Sequence, residues 1–261
     1  MLSDVDSEVI RQYGVLNTIV QPDDVPFYGI PFPGFFLLDE DGVIVDKLFN
    51  RHLAHRDGIE AILDSYAGRV SAGADDPIAE ASEDDGISIT AFLRGGGGQL
   101  RIGPRRRLVV RVEMPPGLHI YDEPVPGGMV ATTITINAPD GLRHGDVAAP
   151  PTHELDLPGL TAPLHVWDAH VDFVVDVWAT STVAKQIAAG TDSVQLEVTV
   201  RYQACDDAQC FIPRTRTLTI DVPLALGAMP NSPKLRGISG DVVEMDWETH
   251  MVRLIERKTS G

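Results

Sequence analysis

From Ile87 to about residue 226 the chain alternates apolar and polar residues with a period of two. ISITAFL, LRIG, RLVVRVEM, MVATTITINA, HVDFVVDVWA, SVQLEVTVRYQA and RTLTIDVPL are separated by Gly, Pro, Asp and Asn. A period of two sends successive side chains to opposite faces of a sheet, and Val, Ile and Thr favour that pleated surface. About seven short strands in roughly 140 residues predict an antiparallel β-sandwich of the immunoglobulin type. STVAKQIAAG is the one brief helical pattern inside it.

Residues 1–70 have a different pattern. In SDVDSEVIRQYGV, Asp4 or Ser7 offers an N-cap, with Val9, Ile10 and Tyr13 on one helical face. FFLLDEDGVIVDKLF predicts a hairpin turning at Asp39-Glu40-Asp41-Gly42. HRDGIEAILDSYAG predicts a second helix that stops at Gly68. Residues 71–86 hold six acids and no base, with small residues and one proline, which reads as an acidic linker. Residues 227–240 read as an irregular connector, and DVVEMDWETHMVRLIERK, 241–258, as a terminal helix within the last segment, 227–261. The expected class is α+β: an α/β segment over 1–70, the linker, and a β-sandwich over 87–226.

Charge and cysteine count narrow the functions. Lys plus Arg is 21 and Asp plus Glu is 38, a net charge of −17. Nucleic-acid phosphates need a net basic face, so a nucleic-acid partner is excluded, and so is docking on an anionic membrane. No run of about 18 apolar residues is present, so no membrane insertion by this chain is expected. The acidic start lacks a basic segment followed by an apolar one, which predicts a cytoplasmic protein. A true start further upstream would allow an extracytoplasmic location. Two cysteines cannot supply a four-thiolate zinc site or a multi-disulfide scaffold. No histidine lies near them in sequence, and no metal or other cofactor is expected.

Both cysteines fall in RYQACDDAQCFIP, with four residues between Cys205 and Cys210. At the end of a strand a loop this short brings the two sulfurs within disulfide reach. So small a loop constrains the unfolded chain little, which favours a redox role over a stabilising one. An inert local staple and a reversible dithiol/disulfide both fit the spacing. Asp206 and Asp207 beside Cys205 disfavour its thiolate, which suits a disulfide attacked by another protein's thiol.

The motif resembles the active-site loop of the amino-terminal domain family of the thiol:disulfide interchange protein DsbD. Tyr202, Gln203, Cys205, Cys210, Phe211 and Pro213 match its Tyr-Gln-x-Cys…Cys-aromatic-Pro pattern. Pro116, Gly117, His119 and Tyr121 match a second segment, and 152–163 falls where that family carries a cap over the cysteines. The best-known members have five residues between the cysteines; this chain has four. The resemblance covers about residues 87–226. It implies an immunoglobulin-like fold and a relay of reducing equivalents through Cys205 and Cys210 to or from a thioredoxin-fold partner. It implies a lining of Tyr202, Gln203, Tyr121, Phe211 and Pro213, with Cys210 the partner-bonding sulfur.

LSDVDSEVIRQYGVLN and GIPFPGFFLLDEDGVIVDKLF resemble the second half of a peroxiredoxin or redoxin domain, a thioredoxin-like fold. That resemblance puts Pro33 at the cis-proline position and links the relay to a peroxiredoxin pathway. None of residues 1–86 is cysteine, so this segment cannot reduce a peroxide alone. A contrasting expectation is a non-catalytic immunoglobulin-like adaptor with a structural local disulfide, since fold does not dictate function.

Other features have simpler expectations. Gly95–Gly98 lacks the Gly-Lys-Ser/Thr of a phosphate loop. Arg105–Arg107 read as a solvated basic loop. His165 and His170 fall on opposite faces if one strand runs through both, and Trp167 and Trp178 read as packing residues.

Overall fold

The computed structural model describes residues 4, 6–23, 28–49, 59–67, 70–82, 86–157, 159–160, 162–206, 208–225, 234–236 and 242–244. By its internal contacts the chain divides into two compact units. One is Met1–Arg56 with Gly227–Gly261, the other Asp57–Leu226.

In the first unit, α1 (Glu8–Gln12) precedes a hairpin of β1 (Gly34–Leu38) and β2 (Ile44–Phe49). The Asp4 carboxylate, not the Ser7 hydroxyl, accepts the N–H groups of Val9 and Ile10, at 3.2 and 2.9 Å. Ser7 instead donates to the Gly29 carbonyl. Asp39 shapes the predicted hairpin turn by accepting from Asp41 and Val43. The redoxin resemblance implies a cis bond at Pro33. Among the described residues the cis peptide is Glu123–Pro124, and Phe32–Pro33 is trans. The Phe32 N–H donates to the Val15 carbonyl at 2.8 Å, the chain bends at Pro33 before β1, and the X–Pro bond keeps its ordinary trans isomer. Val9, Tyr13, Leu38 and Ile44 are exposed around an apolar groove on this unit. The described residues of this unit amount to one short helix and two separate two-stranded sheets, and a thioredoxin-like sheet is not among them.

The second unit begins with α2 (Ile59–Ala67) and contains the sandwich. One sheet runs in the order β3 (Ile78–Ser82), β4 (Ser88–Arg94), β6 (Arg106–Glu113), β12 (His170–Ala179), β9 (Leu142–His144). The other runs β5 (Leu100–Arg101), β15 (Arg214–Ala225), β13 (Ser193–Tyr202), β8 (Thr133–Asn137). Every pair is antiparallel except β15 with β5. The period-two pattern is realised residue by residue. Val171, Phe173, Val175 and Val177 of β12 face inward, as do Leu196, Val198, Val200 and Tyr202 of β13. Burying each such side chain contributes about 1.5–3 kcal/mol. The brief helix is α3 (Thr182–Ala188).

The stretch read as a linker contains β3, paired with β4 from Ile78↔Phe92 to Ser82↔Ser88. Its acids are not all solvated. The Asp76 carboxylate, 4 % exposed, accepts from Gly73 N at 2.7 Å and Gly95 N at 2.8 Å and lies 3.6 Å from Arg94. Asp64 of α2, expected on the far side of that linker, pairs with Arg94 at 3.1 Å. Glu60 accepts from Gly96 N. The tetraglycine loop therefore binds the chain's own carboxylates. All four glycines have positive φ, and a Cβ on Gly98 would overlap the Asp75 carbonyl oxygen, so larger residues do not fit.

The basic run is not a solvated loop. Arg106 begins β6 and is buried, and burial lowers its pKa. Arg105 pairs with Asp176 and lies over the Trp178 ring. Trp167 packs in the core against Phe173. His165 and His170 lie on two strands separated by Ala169, whose φ is +54°. At the C-terminus, β16 (Lys234–Arg236) pairs with β17 (Val242–Glu244). The helix expected over 241–258 is thus replaced by strand at its start, where two adjacent valines favour extended backbone. The rest of that segment lies outside the described residues.

Candidate functional site

A third, smaller sheet carries the cysteines. Its order is β10 (His153–Leu155), β11 (Leu164–Asp168), β7 (His119–Tyr121), β14 (Ala204–Cys205). Alternation splits this sheet into two faces. Ile120, Trp167 and Ala204 enter the main core. Tyr121, Leu164, Val166 and Cys205 form a separate apolar cluster on the other face. Cys205 stands opposite His119, and Ala204 opposite Ile120.

Cys205 and Cys210 are joined by a disulfide, with their Cα atoms 4.1 Å apart in an isolated antiparallel bridge. The two sulfurs have unlike surroundings. Cys205 is 1 % exposed, whereas Cys210 lies at the surface. Leu155 and Leu157, from the expected cap segment, pack on the cluster that buries Cys205, as do Val125 and Met129. Pro158 and Thr161 of that segment, and Asp207 in the loop, lie outside the described residues.

The loop is held by its own polar groups. The Asp206 N–H donates to the Gln209 carbonyl, and Phe211 N–H to the Ala204 carbonyl, both at 2.9 Å. The Asp206 carboxylate accepts from Ala208 N and Gln209 N, each at 2.7 Å. These two backbone donors lower its pKa, and His119 adds an electrostatic contribution in the same direction. Asp206 thus forms the turn of this loop as well as placing a negative charge beside Cys205. A depressed carboxylate contributes its hold on the loop above the ordinary aspartate value and loses it as pH falls through the lowered one. The amide chemical shifts of Ala208 and Gln209 should therefore titrate with a midpoint below the usual 3.8, and Asp206→Asn should abolish that titration. A midpoint at or above 3.8 would contradict the turn.

Gln203 is buried and bridges two loops. Its carbonyl accepts from Val130 N at 2.9 Å, and its amide donates to the Phe211 carbonyl at 3.0 Å. Tyr202 belongs to the main core rather than to the cluster around Cys205. Phe211 packs partly on that core, Pro213 is exposed, and Ile212 between them is 83 % exposed. Tyr121 lies at the pair: its hydroxyl is 3.9 Å from Cys210 Sγ. Burial pushes its pKa up to about 12. His119 Nε2 is 2.9 Å from the same hydroxyl. Sequence reasoning did not give His119 a role at the site. The signal was its two-residue spacing from Tyr121, which places both on one strand face.

A two-sheet sandwich that presents one sulfur of a local disulfide at its surface is a disulfide-bearing module. Residues 102–222, within the second unit, match the family described as thiol:disulfide interchange protein DsbD, N-terminal, so this part of the chain is DsbD N-domain-like. Among solved structures, the N-terminal periplasmic domain of ScsB from Proteus mirabilis aligns at 14 % identity and a TM-score of 0.38. The alignment covers 70 % of this chain and 59 % of that one. The Neisseria meningitidis DsbD N-terminal domain in its reduced form aligns at 14 % identity and a TM-score of 0.31, over 57 % of this chain and 85 % of that one. This chain thus spans less than two thirds of the ScsB domain's length. No curated protein matches it. No helix among the described residues is long and apolar enough to cross a membrane.

Proposed function

We propose that the Asp57–Leu226 unit exchanges disulfides with a thioredoxin-fold protein through Cys205 and Cys210. The observation that carries this reading is the unequal exposure of the two cysteines. A partner thiolate can reach Cys210 Sγ without disturbing the core, while Cys205 is covered. Attack forms a bond from the partner sulfur to Cys210 and breaks the Cys205–Cys210 bond. Cys205 leaves as a thiolate and takes a proton. The partner's second thiolate then attacks its own bonded sulfur and releases Cys210. Two electrons pass from the partner dithiol to this chain, and the steps run equally in reverse. Residues 152–163 act as the cap over Cys205. The redoxin-like resemblance of residues 1–70 supports a place for this exchange beside peroxide reduction.

A glutathione titration with alkylation and mass spectrometry tests the reading. A single two-electron transition between about −180 and −280 mV places the pair among exchanging dithiols. A pair still oxidised well below about −300 mV is a structural staple, and the adaptor reading replaces this one.

A further inference from the structure

We propose that Tyr121 is a catalytic hydrogen-bond donor to the Cys210 sulfur and that His119 is the positioning residue that aims its hydroxyl. The assignment rests on the exchange reading above and deepens it. The three groups form a chain, His119 Nε2 to Tyr121 Oη at 2.9 Å and Tyr121 Oη to Cys210 Sγ at 3.9 Å. His119 and Tyr121 stand two apart on β7, and Cys205 is the cross-strand neighbour of His119, so the sheet itself sets this arrangement.

The direction of the chain follows from what forms at its end. A Tyr hydroxyl has one proton to give. A thiolate only accepts, so once Cys210 carries charge the Tyr121 O–H is drawn to it. Tyr121 Oη then accepts from His119 Nε2–H. The opposite orientation, with Tyr121 donating to His119, leaves the sulfur without this donor. Cys210 carries the charge when it leaves the partner's sulfur and, in reverse, when it attacks the partner's disulfide. Stabilising that charge helps both directions. Like any tyrosine near neutral pH, Tyr121 holds its proton and so can give this hydrogen bond. Other titratable groups on the packed elements are Asp168 and His165 on β11, His153 and Glu154 on β10, Asp122 and Glu123 after β7, and Asp206 after β14. Asp168 is paired with His153, and Asp206 is held by two backbone donors. Neither supplies a donor to the sulfur as Tyr121 does.

The test is the pH profile of Cys210 alkylation by iodoacetamide in the full, reduced chain, read peptide by peptide by mass spectrometry. Tyr121→Phe, which keeps the ring and its packing, should raise the apparent pKa of Cys210 by about one pH unit, the scale of a lost hydrogen bond to a charged group. His119→Leu should give a similar rise. His119→Gln, whose amide can still donate to Tyr121, should recover most of the shift. A Tyr121→Phe or His119→Leu profile that superimposes on wild type overturns the proposal. A His119→Gln profile equal to that of His119→Leu overturns the role of His119 as donor. No partner protein enters this assay, so its outcome is independent of the glutathione titration. A pair shown there to be a staple would sink the exchange reading whatever these profiles show.

Discussion

Cys205→Ser should trap a thioredoxin-fold partner covalently, and Cys210→Ser should trap none. The probe is a thioredoxin-fold protein with one remaining cysteine, activated as its thionitrobenzoate mixed disulfide. In the Cys205→Ser chain, Cys210 is at the surface and has the Tyr121 hydroxyl beside it. It displaces thionitrobenzoate, and no second cysteine undoes the adduct. In the Cys210→Ser chain the remaining sulfur is 1 % exposed under Leu155 and Leu157, and an attacking partner cannot approach it. Both variants lose the same small-loop disulfide, so any stability lost with it is common to the two and cancels in the comparison. The measurement is the rate of thionitrobenzoate release and the yield of adduct on a non-reducing gel. Equal rates for the two variants would show that burial does not select the sulfur.

Asp76→Ala should destabilise the second unit by about 3–5 kcal/mol. Its carboxylate is nearly sealed from water and is the acceptor for Gly73 N and Gly95 N while facing Arg94. Removing it leaves two N–H groups without this acceptor and strips one of two carboxylates from a guanidinium that burial already penalises. An unmet buried group costs about 1–3 kcal/mol, and of these two Gly95 is buried and Gly73 half-buried. Asp64 remains beside Arg94 and limits the loss on that side. Urea unfolding of the full chain reads the change as a lowered midpoint for the sandwich transition. A shift worth less than about 1 kcal/mol would place Asp76 among surface ion pairs.

The sandwich was legible because its strands are long enough to show their period. β12 and β13 alternate over ten residues each, and their inward sides are the core. The cysteine pair was legible because the protein's two thiols share one loop. Asp64 and Asp76 were not. An acid that caps two backbone amides looks in sequence like an acid in water, so 71–86 read as a linker although it carries β3. His119 was hidden because its place depends on pairing with Cys205, 86 positions away (205 − 119). Tyr202 belongs to the motif that marks the site, yet alternation along β13 sends it inward to the main core.

The position of β3 bears on how the sandwich could be isolated. A fragment cut at residue 87, where the alternation starts, would leave β4 as the outermost strand of its sheet. The backbone groups of Ser88–Phe92 that now pair with β3 would face outward. A row of unmatched donors and acceptors flanked by Ile89 and Ala91 is a template for adding strands from other copies. Such a fragment should come out of purification as soluble oligomers or as precipitate, whereas one starting at residue 57 keeps its own selvedge.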